Sequence, residues 1–368
     1  MSFTSNTILV ALELSNSLWL VGTRMAGAQK SNMHRIDAGD TAALLNLLAE
    51  LKSRNKAAPI ACCFEAGRDG FWIHRLLTNH GIPTYVVEPT SILVNRRAKR
   101  AKTDRLDAEG LLRVLACYLA GDTQICSMVQ VPAADEEDGK RVHREREYLV
   151  QERTRIENRI SALLATQGIR SRPSLRSWER DMAAMVTGDG RKLPRHLAAE
   201  INRLRRRFVL VRELIQELEA EREEFNASSN DEVTKKVTAL SSLYGVGDNF
   251  AAVLAREIFY RHFGNRKQLA SYVGLTPMPH QSGSMDKDRR IGRAGNGRAR
   301  KTLVQAAWLW LRYQPESELS AWFRNRVGEL QGRTRRIAIV AMARKLLIAL
   351  WRFTETGETP AGAVLRAA

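Results

Sequence analysis

An α/β domain followed by mainly helical regions is the fold class that this sequence predicts, on three observations. Over residues 1 to about 120, short apolar runs of strand length alternate with amphipathic runs of helix length. Over about 140–225, apolar residues recur at heptad spacing. From about 235, helical segments are interrupted by Gly-rich and Arg-rich turns. The expected regions are therefore 1–125, 140–228 and 235–355, which suits 368 residues at about 100–200 residues per domain.

In the first region, TILVALEL and LWLVGT are apolar runs separated by Ser-Asn-Ser, which predicts a hairpin. HRIDAGDTAALLNLLAELKSR follows with an Asp N-cap signal and helical spacing. PIACCFEAG is a buried strand running into a Gly turn, FWIHRLLTNHG a short helix ended by Gly81, and PTYVVEP a further strand. A helix opening at Asp104 closes the region. A hairpin before the first helix in a mixed pattern predicts a ribonuclease-H-like α/β domain, whose strand ends open onto a crevice.

In the middle region, Leu197, Ile201, Leu204, Phe208, Val211, Ile215 and Leu218 step by four and three, an a/d seam. Leu149, Ile156, Ile160 and Leu163 follow the rule more loosely, with Arg153 interrupting. Pro173, Gly188, Gly190 and Pro194 separate the two stretches. The expectation is two long coiled-coil helices that pair with each other, with another subunit, or both. In the third region, LSSLYGVGDNFAAVLAREI reads as helix, Gly-Val-Gly turn, helix, a helix-hairpin-helix-like unit. The segment IAIVAMARKLLIALWRF reads as a core helix.

Composition narrows the class of partner. Hydrophobic residues make up 44% of the chain, enough for a core, and the formal net charge is +18. Such an excess points to nucleic acid. No apolar run approaches the roughly 20 residues of a membrane span, and no basic-then-apolar leader is present. Cys62, Cys63, Cys117 and Cys126 contain no CxxC pair, so reduced buried thiols and a cytoplasmic location are expected.

The chemistry-bearing residues are carboxylates and one serine. Asp104 and Asp107 are three apart at a helix start, so they share one face. Like charges held together call for a cation or a shared proton. Around them stand Arg96, Arg97, Lys99, Arg100, Lys102 and Arg105, the basic field that a polyanion substrate needs. A solvated helix N-terminus, where the dipole favours Asp, is the competing reading. Glu13 and Glu65 each close an apolar run and would be costly to bury alone. With the Asp pair they form an oxygen-only set suited to Mg²⁺ and a phosphate substrate. Between Lys287 and Lys301 lie Lys287, Arg289, Arg290, Arg293, Arg298, Arg300 and Lys301, interleaved with Gly292, Gly295 and Gly297. That mixture suits close backbone approach and bidentate phosphate contacts. Ser282, beside Gly283, could attack a phosphodiester, though Ser-Gly pairs are also ordinary turn formers. His280 reads as a surface or packing residue, and His74 and His143 gain no role from their context.

The order of Glu65 in FEAG, Lys102-Thr103-Asp104-Arg105-Leu106-Asp107-Ala108, Gly245-Val246-Gly247, Tyr272-Val273-Gly274-Leu275-Thr276-Pro277, Gln281-Ser282-Gly283 and Gly295-Asn296 resembles the DEDD transposases of the insertion-sequence one-ten family, relatives of the pilin-gene invertases. The resemblance covers nearly the whole chain. It implies a RuvC-like first domain, a coiled-coil, and a C-terminal transposase domain with a nucleophilic serine. By it, Glu65, Asp104 and Asp107 match three of the four acids and Ser282 matches the serine, with Ser284 as a near neighbour. Glu13 stands where the family usually has Asp, a change of one methylene at a metal-binding position. The resemblance also implies Mg²⁺, donor and target DNA, a structured bridge RNA, and composite sites in a homo-oligomer, dimer or tetramer, in a prokaryotic cytoplasm at the nucleoid. Nucleic acid is expected to contact Arg97, Arg100, Lys102, Arg105, Arg289, Arg290, Arg293, Arg298, Arg300 and Lys301. Two rivals remain at this level: a metal-dependent junction-resolving nuclease without a covalent intermediate, and a catalytically inactive nucleic-acid-binding protein.

Overall fold

TILVALEL and LWLVGT do pair: β1 (Ile8–Leu14) runs antiparallel to β2 (Leu18–Arg24), with Glu13 opposite Leu20. The computed structural model describes residues 6–92, 103–282, 285–292, 294–328 and 331–366, and the chain divides into two units, Met1–Pro132 and Ala133–Ala368. In the first unit the chain continues through β3 (Asn32–Asp37), α1 (Thr41–Arg54), β4 (Ile60–Glu65), α2 (Trp72–Asn79), β5 (Thr84–Val87) and α3 (Asp104–Leu119). The five-stranded sheet has the order β3-β2-β1-β4-β5. The β1–β4 and β4–β5 pairs are parallel and the other two antiparallel, a mixed sheet consistent with the expected ribonuclease-H-like domain.

One expectation is corrected here. HRID is predicted by the sequence pattern to lead directly into a helix. It is the end of β3, paired along β2, and the helix begins only at Thr41, with Asp40 Oδ1 accepting from the Ala43 amide at 2.9 Å. Backbone pairing to β2 satisfies this mostly exposed strand.

Alternation sorts the sheet's two faces. Val10, Leu12, Cys62 and Phe64 pack with Leu44 and Leu48 of α1 and Ile73 and Leu77 of α2. Leu9, Ala11, Ala61 and Cys63 pack with Leu111, Leu112, Val114 and Leu115 of α3. All four cysteines are free; burial pushes the Cys62 thiol up to about 12 and raises that of Cys63.

The second unit contains α4 (Ala134–Asp138), α5 (Arg141–Ala165), α6 (Trp178–Ala184), α7 (Arg195–Ser228), α8 (Glu232–Ser241), α9 (Asp248–Leu254), α10 (Arg266–Val273), β6 (Pro277–Ser282), β7 (Met285–Ile291), α11 (Gly297–Tyr313), α12 (Glu318–Val327) and α13 (Arg333–Thr356). The heptad seam is internal. Ile201, Phe208, Val211 and Ile215 of α7 cluster with Ile156, Ile160 and Leu164 of α5. Ion pairs Arg146–Glu219, Arg207–Glu152 and Arg159–Glu200 advance along α5 as they retreat along α7, so the two helices are antiparallel. The predicted helix–turn–helix is α8, a turn at Gly245-Val246-Gly247, and α9. The predicted core helix is α13, with Met342, Ala343, Leu346, Leu347 and Leu350 fully buried.

A second difference from expectation concerns the basic segment 287–301. Its glycines and cations predict a loop. Its first part is β7, paired antiparallel with β6, and its last part is the first turn of α11. Among the described residues, no helix is long and apolar enough to cross a membrane.

Candidate active site

Leu12 and Phe64 are register partners in the parallel pair β1–β4, so Glu13 and Glu65 stand side by side, one residue further along each strand. Adjacent strands lie about 4.8 Å apart. Both acids are half-buried. They line an open cleft of about 350 Å³ together with Ser15, Asn16, Arg68 and Asp69. By alternation they share a face with Ala11 and Cys63, the face that α3 covers. The charge of Glu65 is one of the causes raising the Cys63 thiol, after burial and the neighbouring Cys62 and Cys126.

Asp104 and Asp107 occupy the first turn of that same α3, whose N-cap Thr103 accepts from the Leu106 amide at 3.3 Å. Asp104 is exposed and Asp107 half-buried. Neither carboxylate has a side-chain partner among the described residues. One turn on, α3 lies on the sheet: a Cβ at Gly22 would meet the Ala108 Cβ at 3.4 Å and the Leu112 Cδ1 at 3.2 Å, and the Cys63 thiol donates to the Leu111 carbonyl. Gly22 is the register partner of Ala11, two residues before Glu13. All four acids thus belong to one face of one domain, as two pairs.

The donor set is oxygen-only and suits a hard divalent cation. Among the described residues no three of these side chains converge tightly enough to enclose a metal unaided. In donor chemistry the set would suit a hard divalent cation, with Glu13, Glu65, Asp104 and Asp107 as the residues that would hold it. Asp69, which sequence reasoning missed, lines the cleft and lies 3.9 Å from Arg68.

Ser282 belongs to the second unit. It ends β6 opposite Met285 of β7. Gly283 and Ser284 lie outside the described residues. The roots of this hairpin are tied closely. The Gly292 amide donates to the Thr276 carbonyl at 3.0 Å, and the Asn296 amide to the Tyr272 carbonyl at 2.8 Å. Arg300 Nη1 donates to the carbonyls of Val273 and Ala294, both at 3.1 Å. Gly274 (φ 71°) and Gly295 (φ 87°) make this approach possible. A Cβ on Gly274 would lie 2.1 Å from the Ala294 carbonyl oxygen, and one on Gly295 2.4 Å from that of Tyr272.

The expected nucleic-acid contacts divide into groups. Arg97, Arg100, Lys102 and Arg293 lie outside the described residues. Arg105 is largely exposed and pairs with Glu109 at 3.1 Å. Arg289 and Arg290 fall on β7. Arg298, Arg300 and Lys301 are engaged within the protein: Arg298 Nε on Glu147 at 2.5 Å, Lys301 on the same carboxylate at 2.9 Å, and Arg300 on the hairpin roots. The basic run therefore serves structure at its helical end.

Glu257 was not anticipated from sequence. It is 2% exposed, in a π-helical turn (Ala255–Phe259) that prolongs α9. Its carboxylate accepts from His143 Nε2 at 2.9 Å, Arg144 Nε at 2.7 Å, Arg144 Nη2 at 2.9 Å and Asn296 Nδ2 at 3.1 Å. Burial alone would raise its pKa, but the hydrogen bonds from His143 and Arg144 and the Arg144 charge hold it well below the usual carboxylate range. Burial lowers the His143 pKa against the pull of Glu257. A neutral imidazole donating through Nε2 fits its Nδ1, which is buried without a partner among the described residues.

Comparison with known proteins identifies the family. A family model described as "Transposase IS116/IS110/IS902 family" matches residues 237–320, which include Ser282. A second model, for the DEDD transposases of IS110 type, matches residues 25–167, which include Glu65, Asp104 and Asp107. The chain is 44% identical over 374 residues to the candidate transposase y4rJ of Sinorhizobium fredii, covering 98% of this chain and 94% of that protein. It is 25% identical over 289 residues to the transposase for insertion sequence element IS1111A of Coxiella burnetii (78% of this chain, 75% of that one). It is 24% identical over 307 residues to the transposase for IS1328 of Yersinia enterocolitica (81% and 85%). With 44% identity to one relative over nearly the full length of both chains, and family matches over residues 25–167 and 237–320, the chain belongs to the IS116/IS110/IS902 family of DEDD transposases.

Proposed function

We propose that this transposase moves an insertion sequence by exchanging DNA strands through a covalent phosphoserine link at Ser282, assisted by Mg²⁺ at Glu13, Glu65, Asp104 and Asp107. The observation that carries this reading is the shared face of the four acids: Glu13 and Glu65 at neighbouring strand ends, Asp104 and Asp107 on the first turn of the helix covering that face. Mg²⁺ bound there supplies charge stabilisation at the phosphate oxygens. The residues do the rest. Ser282 Oγ forms a bond to phosphorus while the bond from phosphorus to a deoxyribose oxygen breaks, and that leaving oxygen takes up a proton. Attack by a hydroxyl of the exchanged strand reverses the step and frees the serine. The cleft between Glu13 and Arg68 has room for a phosphate beside its carboxylates.

In this reading the guide is a structured RNA from the element itself, which pairs with donor and target DNA, so that sequence choice is carried by base pairing. The +18 net charge supports two nucleic-acid partners. The helical region 140–228 serves oligomerisation, as a dimer or tetramer, between a RuvC-like domain (1–125) and a serine-bearing domain (235–355). The working location is the cytoplasm, at the nucleoid.

The test uses the full chain, Mg²⁺, RNA transcribed from the element's flank, and labelled donor and target DNA. Wild type is expected to yield a protein–DNA adduct that survives denaturation, and Ser282→Ala none. Cleavage without an adduct would favour a metal-dependent resolving nuclease. Tight RNA binding without cleavage would mark Glu13 as a lesion in a binding-competent, inactive copy.

A further inference from the structure

We infer that Glu257 is a positioning residue that holds both roots of the β6–β7 hairpin against α5, an inference that rests on the reading of Ser282 as the nucleophile. Three ties join the chain entering the hairpin to the chain leaving it: Thr276 with Gly292, Tyr272 with Asn296, and Arg300 across Val273 and Ala294. The middle tie ends on Glu257 from both sides. Tyr272 donates its hydroxyl to the Glu257 carbonyl at 3.0 Å, and Asn296 Nδ2 donates to the Glu257 carboxylate at 3.1 Å. The same carboxylate takes His143 and Arg144 from α5, more than a hundred positions earlier in the chain. Glu257 is the point where the helical hairpin, the π-helical turn and the hairpin roots meet.

Stability alone does not call for such an arrangement. A buried carboxylate among cations recovers at best its desolvation cost, and apolar packing of the same volume would serve a core as well. What the network supplies is a fixed geometry: a fork from Arg144, a directed imidazole, and an amide whose own Oδ1 caps α11 at the Ala299 amide. The π-helical turn, a form frequent at functional sites, carries Glu257 into this position. Displacement of a nucleophile by about 1 Å can cost on the order of a hundredfold in rate.

Tyr272→Phe removes one tie to Glu257 and Asn296→Ser the other, while Ser keeps the helix cap. Each single variant and the double variant are prepared as the full chain with RNA and donor DNA. Amide hydrogen exchange is read over 277–282 and 285–291 and, as reference, over α13. Binding affinity and the single-turnover rate of adduct formation are measured beside Ser282→Ala. The double variant is expected to exchange hairpin amides about tenfold faster with α13 unchanged, to bind DNA within about twofold of wild type, and to form adduct at least about tenfold more slowly. Hairpin exchange at the wild-type rate would overturn the inference. So would acceleration that includes α13, which marks a general core role, or a faster-exchanging hairpin with an unchanged adduct rate. Persistence of the adduct in Ser282→Ala would instead refute the nucleophile, while the exchange data still decide whether Glu257 holds the hairpin.

Discussion

Two carboxylate sites in this chain are built on opposite principles. At the strand ends of the first unit, Glu13 and Glu65 are half-buried along a cleft, and Asp104 is exposed. In the second unit, Glu257 is 2% exposed and receives donors from His143, Arg144 and Asn296. The first arrangement sets its carboxylates along an open cleft. The second encloses its carboxylate among buried donors. An acid in an apolar run is thus not diagnostic by itself; what distinguishes the two sites is an open cleft against a buried enclosure of donors.

The sharpest way to break that contrast is to remove one member from each side. Asp104→Asn is expected to lower strand-exchange activity by on the order of a thousandfold, as loss of one member of a catalytic unit does. It should move unfolding free energy by less than about 0.5 kcal/mol, since an exposed side chain is changed. Chemical denaturation and single-turnover assays read the two effects separately. Glu257→Ala is expected to do the reverse in stability, costing about 3–5 kcal/mol because Arg144 and Arg298 lose a buried counter-charge. A small loss there would mean that the network is not held as described. Gly295→Ala is expected to cost about 2–3 kcal/mol, from strain at φ 87° and contact with the Tyr272 carbonyl.

Acid pH sharpens the comparison further. The folded-state pKa values of Glu257 and His143 are both lowered. Each therefore contributes stability that is present above its unfolded value and lost as pH falls. For His143 the loss begins below about 6.5, and for Glu257 below about 4.5, as the unfolded chain takes up protons first. The groups facing them are Arg144, Arg298 and Lys140, whose own pKa burial lowers. Thermal unfolding scanned from pH 7 to pH 5 should show the first decline in wild type and a weaker one in His143→Gln. The smallest effect is at the surface: breaking the exposed Arg105–Glu109 pair by Arg105→Ala should change stability by about 0–1 kcal/mol, while weakening nucleic-acid binding and its salt dependence.

Much of the first unit was legible because its central strands are buried runs bounded by turns, and Asp40 marks a helix start. β3 was not, because Asn32–Asp37 is a largely exposed edge strand of mixed polarity. The β6–β7 hairpin escaped for a similar reason: PMPHQS and MDKDRRI have no apolar alternation, so Ser282 stood out only as a Ser beside Gly, an ordinary turn signal that the family resemblance raised to a candidate nucleophile. The antiparallel pairing of α5 with α7 was left open by the heptads, which specify a seam but not a partner. Glu257 carried one local signal, an acid inside the apolar run NFAAVLAREIF, the same signal that singled out Glu13 and Glu65. Its partners lie up to 114 positions away, beyond any local pattern. Conversely, Arg298 and Lys301 read as phosphate ligands because their engagement with Glu147 is equally distant in sequence.

The contrast between cleft-lining and enclosed carboxylates is tested most directly by Mn²⁺ titration of the full chain, followed by the paramagnetic resonance of free Mn²⁺, for wild type, Glu65→Gln, Asp104→Asn and Glu257→Gln. Loss of bound Mn²⁺ in Glu65→Gln and Asp104→Asn, with binding kept in Glu257→Gln, is the expected result. Undiminished binding in the first two variants would contradict the assignment of the strand-end acids as the metal site.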